Sequence, residues 1–454
     1  MESQQMIIGL IVGIIFLIYM ILKTKIHTFL ALIVATVVVG VMGGMEYSAI
    51  ISSITKGFGG TLGSIGIIIG FGVMMGELFE VSGAAKKMAL VFLRVLGKGK
   101  EELAMAITGF IVSIPIFCDS GFVILTPLAK SISKTTKKSI VSLGIALASG
   151  LVITHSLVPP TPGPVGVAGI FGVSVGSLLL WGLVISIPMV TATLMYGKYM
   201  GKKIYQIPSE DGETWIRPEK IENSNANYNE EEEKNLPSTF MTFLPILTPI
   251  ILILLGTVTS ALKLNGGISK IFQFLGTPII AVGIGLLITI FGLAKKLTQK
   301  QVINEMEKGI KSAGIIILIT GAGGAFGMLL RDSGVGNTIA QSIVKTSIPP
   351  ILLPFIVATI IRFIQGSGTV AMLTAASITA PIILVLNVNP VFAALSACIG
   401  SLFFSHYNDS FFWVVNRSIG ITDAKEQLKV YSITSTIAWG TGIVTLLILN
   451  MIFA

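Results

Sequence analysis

The chain has 454 residues, of which 53% are hydrophobic and only 12% are charged, and its net charge is +9. Soluble domains carry about 25% charged residues, so a set of soluble domains with polar surfaces is excluded. The 50 Gly and 18 Pro lie inside apolar runs, which membrane helices tolerate because neighbouring helices or water satisfy the freed backbone groups. The composition indicates an integral membrane protein. Its positive charge lies in short clusters between apolar segments, which favours membrane orientation over nucleic-acid binding.

Ten apolar segments are long enough to cross a bilayer, for which a helix needs about 20 residues. They are 6–22, 26–45, 61–81, 139–176, 178–197, 240–263, 272–294, 311–330, 388–420 and 431–453. The fourth and the ninth exceed one simple crossing, and each is interrupted by polar or proline-rich sequence. Two further apolar stretches, 103–129 and 349–386, are broken near their middle by small polar residues.

Clusters of Lys and Arg orient these segments. One topology places nearly all of them in the cytoplasm, with both termini outside. Lys56 falls in an outside connection, and Glu77, Glu80, Arg331 and Asp332 are interpreted as boundary residues that end spans. The basic segment 83–99 is expected to form an interfacial helix on anionic lipid.

The same topology constrains the stretch 103–129, because both of its flanks are strongly basic and therefore cytoplasmic. The stretch must then enter the membrane and turn back, with Phe117–Gly121 at the tip of a re-entrant hairpin. Such non-helical backbone is allowed at membrane depth where protein buries it or where it lines a cavity. Two ordinary short helices joined by an outside turn are the alternative.

An internal repeat relates the two halves of the chain. Residues 63–85 resemble 314–336, and three pairs of dipeptides follow at nearly one offset. These pairs are Ser82-Gly83 with Ser333-Gly334, Ser120-Gly121 with Ser367-Gly368, and Thr154-His155 with Ser405-His406. Because five spans separate equivalent points, the halves have opposite orientations. Inverted repeats with interrupted helices are typical of secondary transporters, which bind substrate near the midplane.

The sequence therefore predicts an all-α polytopic membrane protein of two inverted five-span repeats. Each repeat contains a re-entrant helical hairpin and a broken transmembrane helix. The N-terminal repeat covers 1–197 and the C-terminal repeat 240–454, and a polar cytoplasmic linker, 198–239, joins them. The acidic runs of the linker are typical of a solvated connector.

Four polar clusters interrupt the apolar sequence, two in each half: 119–121, 154–164, 365–369 and 405–410. A broken helix leaves unpaired amides at one end, which suit a carboxylate or a hydroxyl-rich anion. The predicted substrate-binding residues are Ser120, Gly121, Thr154, Ser367, Gly368, Thr369, Asn408 and Ser410. Arg362, one turn before the second tip, is predicted to bind the substrate carboxylate. Pairing of Arg362 with Asp409 or with backbone carbonyls is the alternative.

Ionisable groups at membrane depth are costly and are functional candidates by default. Asp119, His155, His406 and Asp409 are the candidates for proton coupling, without a ranking among them. The alternative for each histidine is that it only holds the broken backbone together through hydrogen bonds.

Other chemistries find little support in the sequence. It contains no G-x-x-x-x-G-K-[ST] and no H-E-x-x-H motif, and no metal or cofactor is expected. Cys118 and Cys398 are interpreted as small buried residues. A membrane-embedded hydrolase lacks the G-x-S-x-G elbow, and a passive channel leaves the paired hairpins unexplained. An enzyme is therefore not predicted.

Four motifs resemble the gluconate permease family of the ion transporter superfamily. They are 114–122, the proline-rich run 154–164, 362–371 and 406–410. The resemblance implies a multi-pass symporter of the bacterial inner membrane that imports gluconate or a related sugar acid with H⁺ by alternating access. Family members also carry D-serine and other hydroxy acids, so the same fold with such a substrate, or with Na⁺ coupling, is the alternative. The expected partners are a small carboxylate, H⁺ and lipid, without nucleic acid, and a homodimer is left open.

Overall fold

The computed structural model describes residues 2–24, 26–209, 214–218, 236–264, 266–333, 349–386 and 388–453. In the first half, the helices are α1 (Glu2–Lys23), α2 (Thr28–Met42), α3 (Tyr47–Val81), α4 (Ala84–Leu96), α5 (Glu101–Val112), α6 (Cys118–Thr136), α7 (Ile140–Leu157), α8 (Pro162–Phe171) and α9 (Val175–Lys203). A small antiparallel hairpin of β1 (Ile207–Pro208) and β2 (Trp215–Ile216) follows.

The second half begins with α10 (Thr239–Ala261), α11 (Gly267–Leu275), α12 (Pro278–Ile288) and α13 (Gln299–Asp332). It continues with α14 (Leu352–Gln365), α15 (Gly368–Ile383), α16 (Pro390–Gly400), α17 (Ser410–Ser418), α18 (Ala424–Gln427) and α19 (Ile433–Phe453). A π-helical segment, Leu428–Ser432, connects α18 to α19. The all-α polytopic class is confirmed.

Within the described ranges, six helical segments are long and apolar enough to cross a membrane, and the bent α3 makes a seventh. The predicted spans 6–22 and 26–45 and the first part of 388–420 correspond to shorter apolar helices, Gln5–Leu17, Thr28–Met42 and Pro390–Gly400. The predicted pairs of helices in 103–129 and 349–386 are α5 with α6 and α14 with α15. Their re-entrant course through the bilayer stays a prediction.

Three boundaries differ from the sequence prediction. Helix α3 begins at Tyr47 rather than at 61 and bends by 45° between Gly63 and Ile65, so Lys56 lies inside a helix and not in a connection. Helix α13 begins at Gln299, twelve residues before the predicted 311, where Thr298 and Gln301 form a capping box. The segment 272–294 is divided at Gly276-Thr277, because Pro278 starts a new helix.

The two repeat-related helices, α3 and α13, run antiparallel in close contact at the centre of the molecule. Near one end, a Cβ added to Gly57 would lie 2.4 Å from the carbonyl oxygen of Gly324. Near the other end, the Glu77 carboxylate pairs with the Lys308 ammonium at 2.8 Å. Antiparallel packing of these helices is what an inverted repeat requires locally, whereas inverted symmetry of the complete halves stays a prediction. Gly334, the last member of the matched Ser-Gly pair, lies outside the described residues.

Each hairpin packs against the broken helix of its own half. Helices α5 and α7 approach closely at a glycine on each helix. A Cβ on Gly109 of α5 would lie 2.5 Å from the Leu147 carbonyl oxygen, and a Cβ on Gly150 of α7 would lie 2.1 Å from the Ala106 carbonyl oxygen. Helix α14 contacts α16 in the same manner, where a Cβ on Gly400 would lie 2.4 Å from the Phe355 carbonyl oxygen. These contacts bring both hairpin tips beside the two helix breaks.

Segments at the surface complete the scaffold. Helix α4 coincides with the predicted interfacial helix 83–99 and buries the face formed by Ala84, Ala85, Met88, Ala89 and Leu93. The described part of the predicted linker contacts the C-terminal half. The Gln206 amide donates to the Ile419 carbonyl at 2.7 Å, and the Arg217 guanidinium forms two hydrogen bonds with the Glu426 carboxylate at 2.9 and 2.7 Å. The division into two repeats and a linker stays a prediction.

Candidate functional site

A cavity of about 290 Å³ lies where the two hairpin tips meet the two helix breaks. Nine of the thirteen residues predicted for the site line it: Asp119, His155, Arg362, Ser367, Gly368, Thr369, Asn408, Asp409 and Ser410. These residues come from sequence positions almost 300 apart and converge because each hairpin packs on a broken helix. The functional roles of these residues stay predictions.

An ion pair between Arg362 and Asp409 occupies one wall of the cavity. The Arg362 Nη2 atom lies 2.6 Å from the Asp409 Oδ2 atom, and the two side chains are only 5% and 9% exposed. Arg362 also donates to the Gly366 carbonyl at the second tip, and Asp409 also accepts from the Ser405 hydroxyl and from the Phe411 amide. Asp409 thereby caps α17. The structure thus has the Arg362–Asp409 pairing that the sequence left as an alternative.

A second carboxylate, Asp119, faces the cavity from the first tip. The Ser410 hydroxyl donates to its Oδ1 atom at 3.1 Å, and the Cys118 thiol approaches its Oδ2 atom at 3.5 Å. Asp119 has no cationic partner among the described residues. The cavity is therefore lined by two aspartates and one arginine, and the arginine pairs with Asp409.

Several buried polar atoms at the cavity have no hydrogen-bond partner in the described parts of the chain. They are the Nδ1 atom of His155, the Nε atom of Arg362, the Oε1 atom of Gln365 and the hydroxyl of Tyr431. The other ring nitrogen of His155 lies 3.5 Å from the Thr369 hydroxyl. Buried polar groups are nearly always paired, so this set indicates that water or a polar ligand in the cavity completes their hydrogen bonds.

Four predicted residues do not line the cavity. Consecutive helical residues project about 100° apart, so Gly121 faces Leu151 while Asp119 faces the cavity. Thr154 is fully buried beside His155. Ser120 instead lies beside Glu80 of α3.

His406 is the fourth of these residues, and its Nε2 atom lies 2.9 Å from the carbonyl oxygen of Phe363. This is the arrangement in which the histidine holds the broken backbone together. Asn408 lines the cavity and also donates to the carbonyls of Phe363 and Ile364, at 3.0 and 3.2 Å. Two side chains from the break in the second half, those of His406 and Asn408, therefore contact carbonyl groups at the C-terminal end of α14.

Sequence reasoning missed Gln365 and Tyr431 as lining residues. Gln365 belongs to the polar cluster 365–369, from which only Ser367, Gly368 and Thr369 were predicted to bind substrate. Tyr431 lies at the start of an apolar span, within the π-helical segment 428–432, and its fully buried ring lines the cavity. Such π segments are frequent at functional sites, but no short sequence motif reports them.

The architecture and the polar cavity define a multi-pass membrane transporter. The profile of the GntP family permeases matches residues 5–452, and this chain belongs to that family. An uncharacterized permease of Haemophilus influenzae is 48% identical over 98% of this chain and 92% of its own length. The gluconate permease of Pseudomonas aeruginosa is 34% identical over 99% of both chains, and the D-serine transporter DsdX of Escherichia coli is 33% identical over 96% and 97%.

A solved structure has the same overall fold. The YdaH transporter of Alcanivorax borkumensis superposes with a TM-score of 0.65 over 98% of this chain and 99% of its own, at 14% identity. The predicted family and the transporter class are confirmed, and the protein is a multi-pass protein of the inner membrane rather than an enzyme.

Proposed function

We propose that this permease imports gluconate or a related sugar acid together with H⁺ by alternating access. The observation that carries the proposal is the buried Arg362–Asp409 pair on the wall of a polar cavity between the hairpin tips and helix breaks. A guanidinium binds a carboxylate bidentately through two of its nitrogens, and here Nη2 already donates to Asp409 and Nη1 to the Gly366 carbonyl. Substrate and Asp409 therefore compete for Arg362.

This competition provides a coupling mechanism. When Asp409 is protonated it loses its attraction for Arg362, and the substrate carboxylate takes its place on the guanidinium. The added proton balances the charge of the added carboxylate, so the empty and the loaded cavity carry the same net charge. Moving a charge through a low-dielectric interior is costly, and constant charge removes that cost from the reorientation of the loaded carrier.

The remainder of the cavity suits a polyhydroxylated substrate. The unpartnered polar atoms of Gln365, Tyr431 and His155 belong to residues that line the same cavity as Arg362, so they can meet the hydroxyl groups of a sugar acid bound there. Each substrate hydroxyl both donates and accepts, so it can satisfy either kind of group. Asp119 on the opposite side is a second proton-coupling candidate, through its hydrogen bond to Ser410.

The alternative substrate is D-serine or another small hydroxy acid, which the 33% identity to a D-serine transporter favours. The carboxylate of either substrate would use Arg362 in the same way, and the ammonium group of D-serine would face Asp119. Na⁺ in place of H⁺ is the corresponding alternative for coupling.

Uptake into proteoliposomes tests the proposal. Labelled gluconate and D-serine are compared with a pH gradient, with a Na⁺ gradient and with neither. We expect gluconate to accumulate with the pH gradient alone, and Arg362→Gln to abolish this uptake while Arg417→Gln retains it. Arg417 is the matched control because its guanidinium lies over the Trp413 ring, away from the cavity. Accumulation of D-serine alone, or accumulation with Na⁺ alone, would select the corresponding alternative.

A further inference from the structure

A second cavity, of about 220 Å³, lies between α3, α8, α13 and α15. Its walls include Gly60, Gly324, Gly327 and Pro381, and two cationic side chains, Lys56 and Arg331, border it. This space, here called the outer vestibule, shares no lining residue with the cavity of the Arg362–Asp409 pair. It lies toward the end of α3 and α13 opposite the Glu77–Lys308 pair.

The two cavities are separated by tightly packed residues of α8 and α15. Along α15, Thr369 lines the first cavity and Pro381 the second, which places them about 18 Å apart at 1.5 Å per residue. Between them, Met372 and Leu373 are fully buried. A Cβ on Gly163 would lie 2.8 Å from Met372, and one on Gly166 would lie 2.5 Å from Leu373. These four residues form a seal between the cavities.

Among the described residues, two cationic side chains and no carboxylate line the outer vestibule. Lys56 lies ten residues into α3, and neither it nor Arg331 has a carboxylate within 4 Å among the residues that the structure describes. The adjacent Asp332 accepts a hydrogen bond from Ser53 at 2.5 Å instead. Both side chains are exposed at the ends of α3 and α13 that border this space, so an anion that enters it can reach them. Glycine walls let a ligand approach the backbone closely.

We propose that the outer vestibule is an anion-binding site that receives the substrate carboxylate on Lys56 and Arg331 before the seal opens. The inference rests on the proposed function, because it assumes that the transported molecule is a small carboxylate. A cationic cavity raises the local concentration of such an anion and the rate at which it arrives. Sequence orientation places this face outside, where imported substrate arrives.

The test separates arrival at the vestibule from binding in the inner cavity. The KM for uptake is measured at low and high salt for wild type, Lys56→Gln, Arg331→Gln and the double variant. Lys270→Gln is the control, since Lys270 is an exposed cation on α11, away from both cavities. Inner-site binding is measured separately, as the substrate concentration that half-protects Cys118 from maleimide in a Cys398→Ala background. Cys118 lines the inner cavity.

We expect the double variant to raise the KM at low salt by about tenfold, the lower end of electrostatic steering effects, and to lose the salt dependence. Half-protection of Cys118 should stay at the wild-type concentration, and the charge-preserving pair Lys56→Arg and Arg331→Lys should keep the wild-type KM. An unchanged KM would overturn the proposal that the outer vestibule binds the substrate anion. A half-protection concentration for Cys118 that shifts in parallel with KM would overturn it as well. So would an effect that appears only in anionic-lipid vesicles, which would assign the cations to phospholipid headgroups. Failure of the proposed function has a different signature, because wild type would then neither transport a carboxylate nor protect Cys118.

Discussion

Replacing Asp409 with Asn tests the competition at Arg362 most directly. The asparagine can still cap α17, because its side-chain oxygen can accept from the Phe411 amide as Asp409 does at 3.2 Å. It cannot neutralise Arg362, whose Nη2 atom lies 2.6 Å from the replaced carboxylate oxygen. The substitution therefore removes the charge of one partner and preserves the local fold.

Two effects of opposite sign follow for Asp409→Asn. Breaking a buried ion pair costs about 3–5 kcal/mol, so the unliganded variant should unfold at a lower temperature. A substrate carboxylate no longer has to displace Asp409, and a charge-assisted hydrogen bond contributes about 1.5–3 kcal/mol. Substrate should consequently bind about 10- to 100-fold more tightly, at 1.4 kcal/mol for each tenfold. Accumulation driven by a pH gradient should be lost, while exchange of labelled for unlabelled substrate persists.

The assays are the substrate-dependent shift in melting temperature, half-protection of Cys118, and uptake with and without preloaded substrate. Asp423→Asn is the matched control, because Asp423 likewise caps a helix, α18, through the Lys425 and Glu426 amides and does not line the cavity. The double variant Arg362→Gln/Asp409→Asn should regain stability without regaining binding. If Asp409→Asn accumulates substrate like wild type, or binds it more weakly while folded, the competition mechanism is refuted.

Three further predictions concern single features. Tyr431→Phe should raise the KM for gluconate about fivefold, since a hydrogen bond contributes about 1 kcal/mol net. It should cost little stability, because the hydroxyl has no partner among the described residues. An unchanged KM would show that Tyr431 does not contact the substrate. Gly366→Ala should destabilise the carrier by at least about 1–2 kcal/mol and reduce uptake, because Gly366 has φ +90° and its added Cβ would lie 2.2 Å from the Asn408 carbonyl oxygen. The control is Gly59→Ala, which meets nothing within 4 Å. Single cysteines near 110 and near 130 should react with an impermeant maleimide from the same face; labelling from opposite faces would show that α5 and α6 are not a re-entrant hairpin.

The polar interruptions of the sequence predicted most of the residues that line the cavity, because unpaired backbone groups at membrane depth need hydrogen-bond partners. These clusters do not show which of their residues line the cavity, because that depends on the direction in which each side chain leaves its helix. A cluster such as 119–121 names three neighbours, and the helix turns only one side of them toward the cavity, which is why Asp119 lines it and Gly121 packs on Leu151. Tyr431 lies in a π-helical segment, and no short sequence pattern predicts such a segment.

Lys56 shows the limit of hydropathy in another way. A lysine among glycines and serines lowers the mean hydropathy of 47–60, so this part of the chain resembled a connection. The structure makes it the first third of α3 because α13 packs along it, with Gly57 against Gly324. Tertiary contact compensates the low apolar content, and such contact is not visible in a window of sequence.

The proposed import path also has a consequence for where the membrane potential would act on the carrier. If water connects each cavity to one side of the membrane, the voltage would fall mainly across the roughly 18 Å of α15 between them instead of the usual 30 Å or so of hydrocarbon. A lone anion that crosses this layer does work of about 2.3 kcal/mol per 100 mV. A carboxylate that crosses with one proton does none, whatever the thickness of the seal, so under the proposed H⁺ coupling the loaded carrier would not work against the membrane potential.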